Sequence, residues 1–86
     1  MATTYKFKTI RLGSTGGHVR TVQSILFSRG FKGKDGKPLE LDGQAGENTM
    51  YAIASYIRAR KAQGADLGGE DAWGPLCYGD QNWPKA

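Results

Sequence analysis

An acidic turn that ends in glycine and feeds a helix is written into this chain twice. Asp42-Gly-Gln-Ala-Gly46-Glu-Asn-Thr49 recurs in weakened form as Glu70-Asp-Ala-Trp-Gly74-Pro-Leu-Cys77. Each copy sets an acidic residue four positions before a glycine and a small side chain three positions after it. The pattern predicts that Gly46 and Gly74 take a backbone conformation that a side chain would strain, with Gly43 a structural residue of the first turn. It also predicts that the Asp42 and Glu70 carboxylates accept from free N–H groups at the helix starts. Thr49 is the small residue that closes the first turn. Two such starts in 86 residues leave room for a few short helices in one domain spanning 1–86, with its core at about 10–79.

Ser14 is the expected N-cap of a first helix over about 15–29, in which Val19, Val22, Ile25 and Leu26 form one apolar stripe. Gly30 followed by Phe31 predicts a left-handed C-terminal cap with an apolar residue packed back on the last turn. A second helix is expected over 47–63. Its Met50, Ile53, Tyr56, Ile57 and the stem of Arg60 lie on one side, Tyr51, Ser55 and Arg58 face away, and Gly64 is its stop. Gly74-Pro75 opens a short third helix at 75–79, since proline suits the first helical position. The alternating stretch Thr4–Leu12 reads as a short extended arm, and Lys32–Leu41, with three lysines, two glycines and a proline, as an exposed turn or hairpin-like loop. The expected architecture is therefore an all-α, compact three-helix fold.

Charge is uneven. Of the net +4, residues 1–43 hold eight Lys+Arg against three Asp+Glu, whereas residues 44–86 hold four against five. A basic first half suits nucleic acid, anionic wall polymers or acidic lipid, and composition does not choose among them. No run approaches the roughly 18 apolar residues of a membrane span, and Met1–Thr9 lacks the apolar core of a signal peptide, so no membrane partner is expected. The single cysteine, Cys77, cannot form an internal disulfide.

Several of these residues together resemble a known family. Leu12-Gly-Ser-Thr-Gly-Gly-His-Val19, then Val22-Gln23, Leu26 and Gly30-Phe31, then Asp42-Gly-x-x-Gly46-x-x-Thr49, Ala52-Ile53-x-x-Tyr56 and Trp73-Gly-Pro75 resemble the peptidoglycan-binding domain appended to bacterial and phage wall hydrolases. The match runs from about Ile10 to Cys77. It implies a three-helix fold whose two acidic-glycine turns start the second and third helices. It further implies non-catalytic attachment to cell-wall murein, as a monomeric targeting module for the catalytic domain of an endolysin or autolysin, at the bacterial cell wall or outside the cell. Arg29, Ile57, Glu70, Asp71 and Cys77 depart from the family pattern, so the second turn is the degenerate one, and the loop at 32–41 is longer than usual.

Chemistry has little to work with. One His and one Cys fall short of a metal set, and a His18–Cys77 catalytic pair needs a lowered thiol pKa. No cofactor or catalytic residue is expected. Asp42 and Glu70 read as capping groups rather than a glycosidase pair. The aromatic residues carry more interest. Tyr51 on the outer face of the second helix, with Gln44 and Asn48 in the adjacent turn, forms the expected ligand site, joined by Trp73 and Tyr78 as stacking surfaces. Trp73 and Trp83 have competing readings as core closure and tail anchor. Lys32, Lys34 and Lys37 read as solvated loop charges. The rival class is a small basic three-helix nucleic-acid-binding module, disfavoured by the few basic residues on the outer face of the second helix.

Overall fold

The computed structural model describes residues 8–80, and within them the chain is helical: α1 (Gly17–Ser28), α2 (Glu47–Ala62) and the single turn α3 (Pro75–Tyr78). Among the described residues only isolated antiparallel bridges supplement the helices, pairing Ile10 with Trp73, Thr15 with Gln44 and Lys32 with Pro38. Three helices and the absence of a sheet there agree with the sequence. Residues 4–7 of the expected arm, and Trp83, lie outside the described residues.

Both long helices end as glycine allows. Phe31 N–H reaches Leu26 O and Gly30 N–H reaches Phe27 O, while Ala65 N–H reaches Arg60 O and Gly64 N–H reaches Lys61 O. These are paired six-to-one and five-to-two closures around a residue with positive φ, 84° at Gly30 and 93° at Gly64. Phe31 is buried, so the apolar residue after the cap completes the first closure.

The helix starts differ from expectation. Ser14 is not the cap of α1: its Oγ accepts from Arg11 N–H at 3.0 Å, and the N-cap is Gly16, which makes no side-chain cap bond. The helix begins late because residues 13–16 are held in extended pairing with the first acidic turn. Gly13 N–H donates to Ala45 O, Ala45 N–H to Ser14 O and Gly16 N–H to Gly43 O, at 2.8–3.0 Å.

The repeat is real in the backbone, though not for the expected reason. Gly46 and Gly74 both serve as N-caps with extended backbones, φ −87° and −105°, and neither receives a side-chain cap bond. A Cβ at either position would meet nothing within 4 Å. Neither glycine is therefore needed to relieve strain, and the expected penalty for a side chain at Gly46 has no basis. The constrained position is Gly43, with φ +73° and a Cβ site 3.1 Å from the Gly16 carbonyl oxygen. The residues before the two caps, Ala45 and Trp73, are both buried, as are the small residues Thr49 and Cys77 three positions after them.

The core is built from Val19, Val22 and Leu26 of α1, Ala52, Ile53, Tyr56 and Ile57 of α2, and Ile10, Phe31, Leu39, Trp73 and Cys77 from the connections. Ile25 is only half-buried; the polar residue Gln23 is fully buried beside the α1 stripe instead. Tyr56 is the centre of an aromatic row, edge-on to Phe31 at 5.7 Å and tilted against Trp73 at 4.9 Å, with Tyr78 edge-on to Trp73 at 6.2 Å. Its hydroxyl donates to Asp80 Oδ2 at 2.5 Å, and Arg60 Nε donates to the same oxygen at 2.9 Å. That pair is nearly buried, so the charge on Asp80 is balanced where water is scarce.

Candidate functional site

Gln23 organises the face on which the expected site lies. Its Nε2 approaches Asp42 Oδ1 at 3.1 Å, Gln44 O at 3.0 Å and Thr49 Oγ1 at 3.0 Å, and its Oε1 accepts from Gly43 N–H at 2.9 Å. One amide thus ties α1 to the turn and to the first turn of α2. Asp42 is therefore not a helix cap. Its Oδ1 accepts from Gln44 N–H at 3.0 Å, closing a local turn, as well as from Gln23. The Gln44 amide and the Gln23 side chain together lower the Asp42 pKa below 3.8. Glu70, the acidic residue of the second copy, does not cap either: it pairs with Arg58 at 2.8 Å, with both side chains about half exposed. In the second copy the carboxylate is drawn instead to a cation on α2.

The hairpin-like loop forms as expected, with Gly33 N–H on Lys37 O at 3.0 Å and Lys37 N–H on Asp35 Oδ1 at 2.9 Å. It packs on α2: a Cβ at Gly33 would fall 2.7 Å from the Asn48 side chain. Leu39 is buried and fastens the loop to the core. Between this loop and the start of α2 lies a hollow of about 440 Å³, lined by Gln44, Asn48, Thr49 and the carboxylates of Asp35, Glu40, Asp42 and Glu47, with Lys37 on its rim.

Tyr51 is outward, 45 % exposed, yet it does not line that hollow. It lines a neighbouring, more open one of about 390 Å³ with Leu12, Lys34, Glu47, Met50 and Asp71. The expected trio is therefore split: Gln44 and Asn48 share a polar hollow, Tyr51 sits in an apolar one, and Glu47 lines both. Of the loop lysines, Lys34 borders the apolar hollow and Lys37 the polar one, while Lys32 borders neither.

Trp73 is no stacking platform. It is 1 % exposed, packed against the Tyr56 and Tyr78 rings, and it is a core residue. Tyr78 is half-buried, and its hydroxyl donates to Lys8 O at 2.6 Å, so it fastens the arm and presents no free face of the expected kind. Cys77 is fully buried with its Sγ 3.8 Å from Leu67 O, and burial raises its pKa. His18 is buried beside Gly16 at the start of α1.

Gln23, Glu47, Leu12, Met50 and Asp71 were not expected in these roles. A glutamine among Val19, Val22 and Leu26 on a helical stripe was the available signal for Gln23, because a buried amide must find partners. Leu12 is 68 % exposed, and only the packing of its segment beside α2 reveals its place. Among the described residues no three His, Cys, Asp or Glu side chains are grouped to hold a metal ion, and no helix is long and apolar enough to cross a membrane. Comparison with protein-family models, with curated proteins and with solved structures gives no significant match to this chain.

Proposed function

We propose that this chain is a non-catalytic peptidoglycan-binding module, with the three-helix fold of that family, which holds an associated wall hydrolase against cell-wall murein. The observation that carries the reading is the pair of hollows meeting at Glu47. One is polar, with two amides and several carboxylates; the other is apolar and open, with Tyr51 and Met50 in its wall. Murein is amphiphilic in the same sense: a pyranose ring offers an apolar face to an aromatic ring, and hydroxyls, amides and amines to polar groups. The ordered resemblance of residues 10–77 to that family's sequence pattern supports the same reading. Attachment works by raising the local concentration of the tethered enzyme, so modest affinity suffices. Burial holds the Cys77 thiol protonated, which removes the nucleophile from the arithmetically conceivable His–Cys pair. The nucleic-acid alternative has less support, because Arg58 on the outer face of α2 is already paired with Glu70.

Sedimentation with purified murein sacculi, in the presence of excess duplex DNA, tests the reading. Depletion of the protein from the supernatant, undiminished by DNA and without release of soluble fragments, is expected. Failure to sediment, displacement by DNA, or release of reducing sugar or new amines overturns it.

A further inference from the structure

Away from both hollows, the start of α1 opens onto a third one of about 380 Å³, lined by Lys8, Thr15, Gly16, Gly17, His18 and Thr21. Among the described residues no carboxylate lines it. The first turn of α1 contains no acidic residue, and its N-cap, Gly16, makes no side-chain bond to the helix start. Val19 and Arg20 N–H both turn to Gly16 O, while Gly17 and His18 N–H have no acceptor among the described residues. An uncapped start of a twelve-residue helix carries partial positive charge and open donors.

His18 is the second observation. Its side chain lines the hollow, the residue is only 8 % exposed, and it makes no hydrogen bond among the described residues. Its ring nitrogens are not sealed off: with no bond to a described residue, they are left to solvent or to a ligand in the hollow that the residue lines. Gly16 is what leaves it accessible: with φ +129°, its open side faces the Cε1–Nδ1 edge of the ring, and a Cβ there would stand 3.1 Å from both atoms. The ammonium of Lys8 adds a positive charge. Arg20 borders the adjoining hollow, which shares Thr15, Gly16 and Gly17. The carboxylate of that adjoining hollow, Asp42, is engaged by Gln23 and Gln44 N–H.

We infer that the start of α1 is a binding site for a phosphate group, held by the Gly17 and His18 N–H groups, the His18 imidazole and Lys8. Backbone donors, an imidazole and an ammonium around one hollow, with no competing carboxylate among the described residues, suit an anion with three or more oxygens better than the neutral ligand of the α2 face. The phosphate is either a free anion or a unit of a phosphate-bearing wall polymer. The site stands whether or not the chain binds murein.

Amide chemical shifts of the full chain, followed by two-dimensional NMR, test it. Inorganic phosphate and poly(glycerol phosphate) are titrated separately against sodium chloride of equal ionic strength. The expected result is a saturable shift centred on Gly16, Gly17 and His18 that chloride does not reproduce. Saturation by the polymer at lower phosphate concentration identifies the polymer as source, and saturation by inorganic phosphate alone identifies the free anion. Lys8→Gln, at an exposed position, and His18→Gln are each expected to weaken binding about fivefold, the equivalent of one modest charge-assisted contact. Should His18→Gln fail to fold, the Lys8→Gln result decides. Equal shifts with chloride, shifts centred on Lys32, Lys34 and Lys37, or unchanged affinity in Lys8→Gln overturns the proposal.

Discussion

Gln23 on α1 and Thr49 on α2 meet side chain to side chain, Nε2 to Oγ1 at 3.0 Å, in a buried seam that also takes in Gly43 N–H. Replacing Gln23 with leucine keeps the volume but strands Gly43 N–H and removes the donor shared by Asp42, Gln44 and Thr49. The expected loss is on the order of 3 kcal/mol, as for several buried groups left without partners. Urea denaturation of Gln23→Leu measures it; a loss below about 1 kcal/mol would mean that the turn holds itself.

The two glycines of the first turn are expected to respond oppositely. Gly43→Ala strains a positive-φ backbone against Gly16 O and should cost about 1 to 3 kcal/mol. Gly46→Ser places a capping side chain on an extended, open position and should add about 0.5 kcal/mol. Equal effects in chemical denaturation would contradict the assignment of strain to Gly43.

Stability should fall in acid partly through Asp42. Its carboxylate pKa is lowered in the folded chain, so its contribution is fully present above the unfolded value, near 3.8, and is lost as pH falls through the lower folded value. Asp42→Asn should therefore show a shallower loss of stability below about pH 4 than the parent chain. Parallel pH profiles of unfolding free energy for the two proteins would refute this.

Removing the Asp80 carboxylate should be severe. Asp80→Ala leaves the Arg60 guanidinium and the Tyr56 hydroxyl without their shared acceptor in a nearly buried place, which costs about 3 kcal/mol or more. The exposed pair Arg58–Glu70 should matter little, within about 1 kcal/mol for Glu70→Gln. Thermal unfolding of both variants discriminates them, and similar midpoints would show that burial does not separate the pairs.

Three surface variants separate binding from stability. Tyr51→Ala should leave stability within about 0.5 kcal/mol and reduce retention on murein. Asn48→Ala should weaken retention too, but at a stability cost of about 1 kcal/mol, because its side chain supports the loop at Gly33 and Asp35. Neutralising Lys32, Lys34 and Lys37 together should reduce retention only at low salt. Retention of the Tyr51 variant with loss of the lysine variant in high salt would move the site to the loop.

The helices were legible because apolar spacing and terminal glycines are local signals. Gly30 and Gly64 end their helices as read, and Val19, Val22, Ile53 and Ile57 face inward. What escaped were side chains whose partners lie far along the chain. Nothing near Asp42 announces Gln23, nothing near Glu70 announces Arg58, and Ser14 is claimed by a pairing with residues 43–45 that local capping rules do not contain. The candidate site was half legible: Tyr51 is outward, but its separation from Asn48 by Glu47 depends on how Leu12 and Lys34 approach α2.

The short stretch ahead of α1 has a consequence for how quickly the domain assembles. Ile10 pairs with Trp73, residues 13–16 pair with 43–45, and Tyr78 reaches Lys8 across 70 positions. Helices alone form early from neighbours in sequence, whereas these closures require distant segments to meet first, at an entropic cost that grows with the loop enclosed. A domain that is all-helical by content should therefore refold at rates closer to those of mixed α/β domains than to those of simple helical bundles.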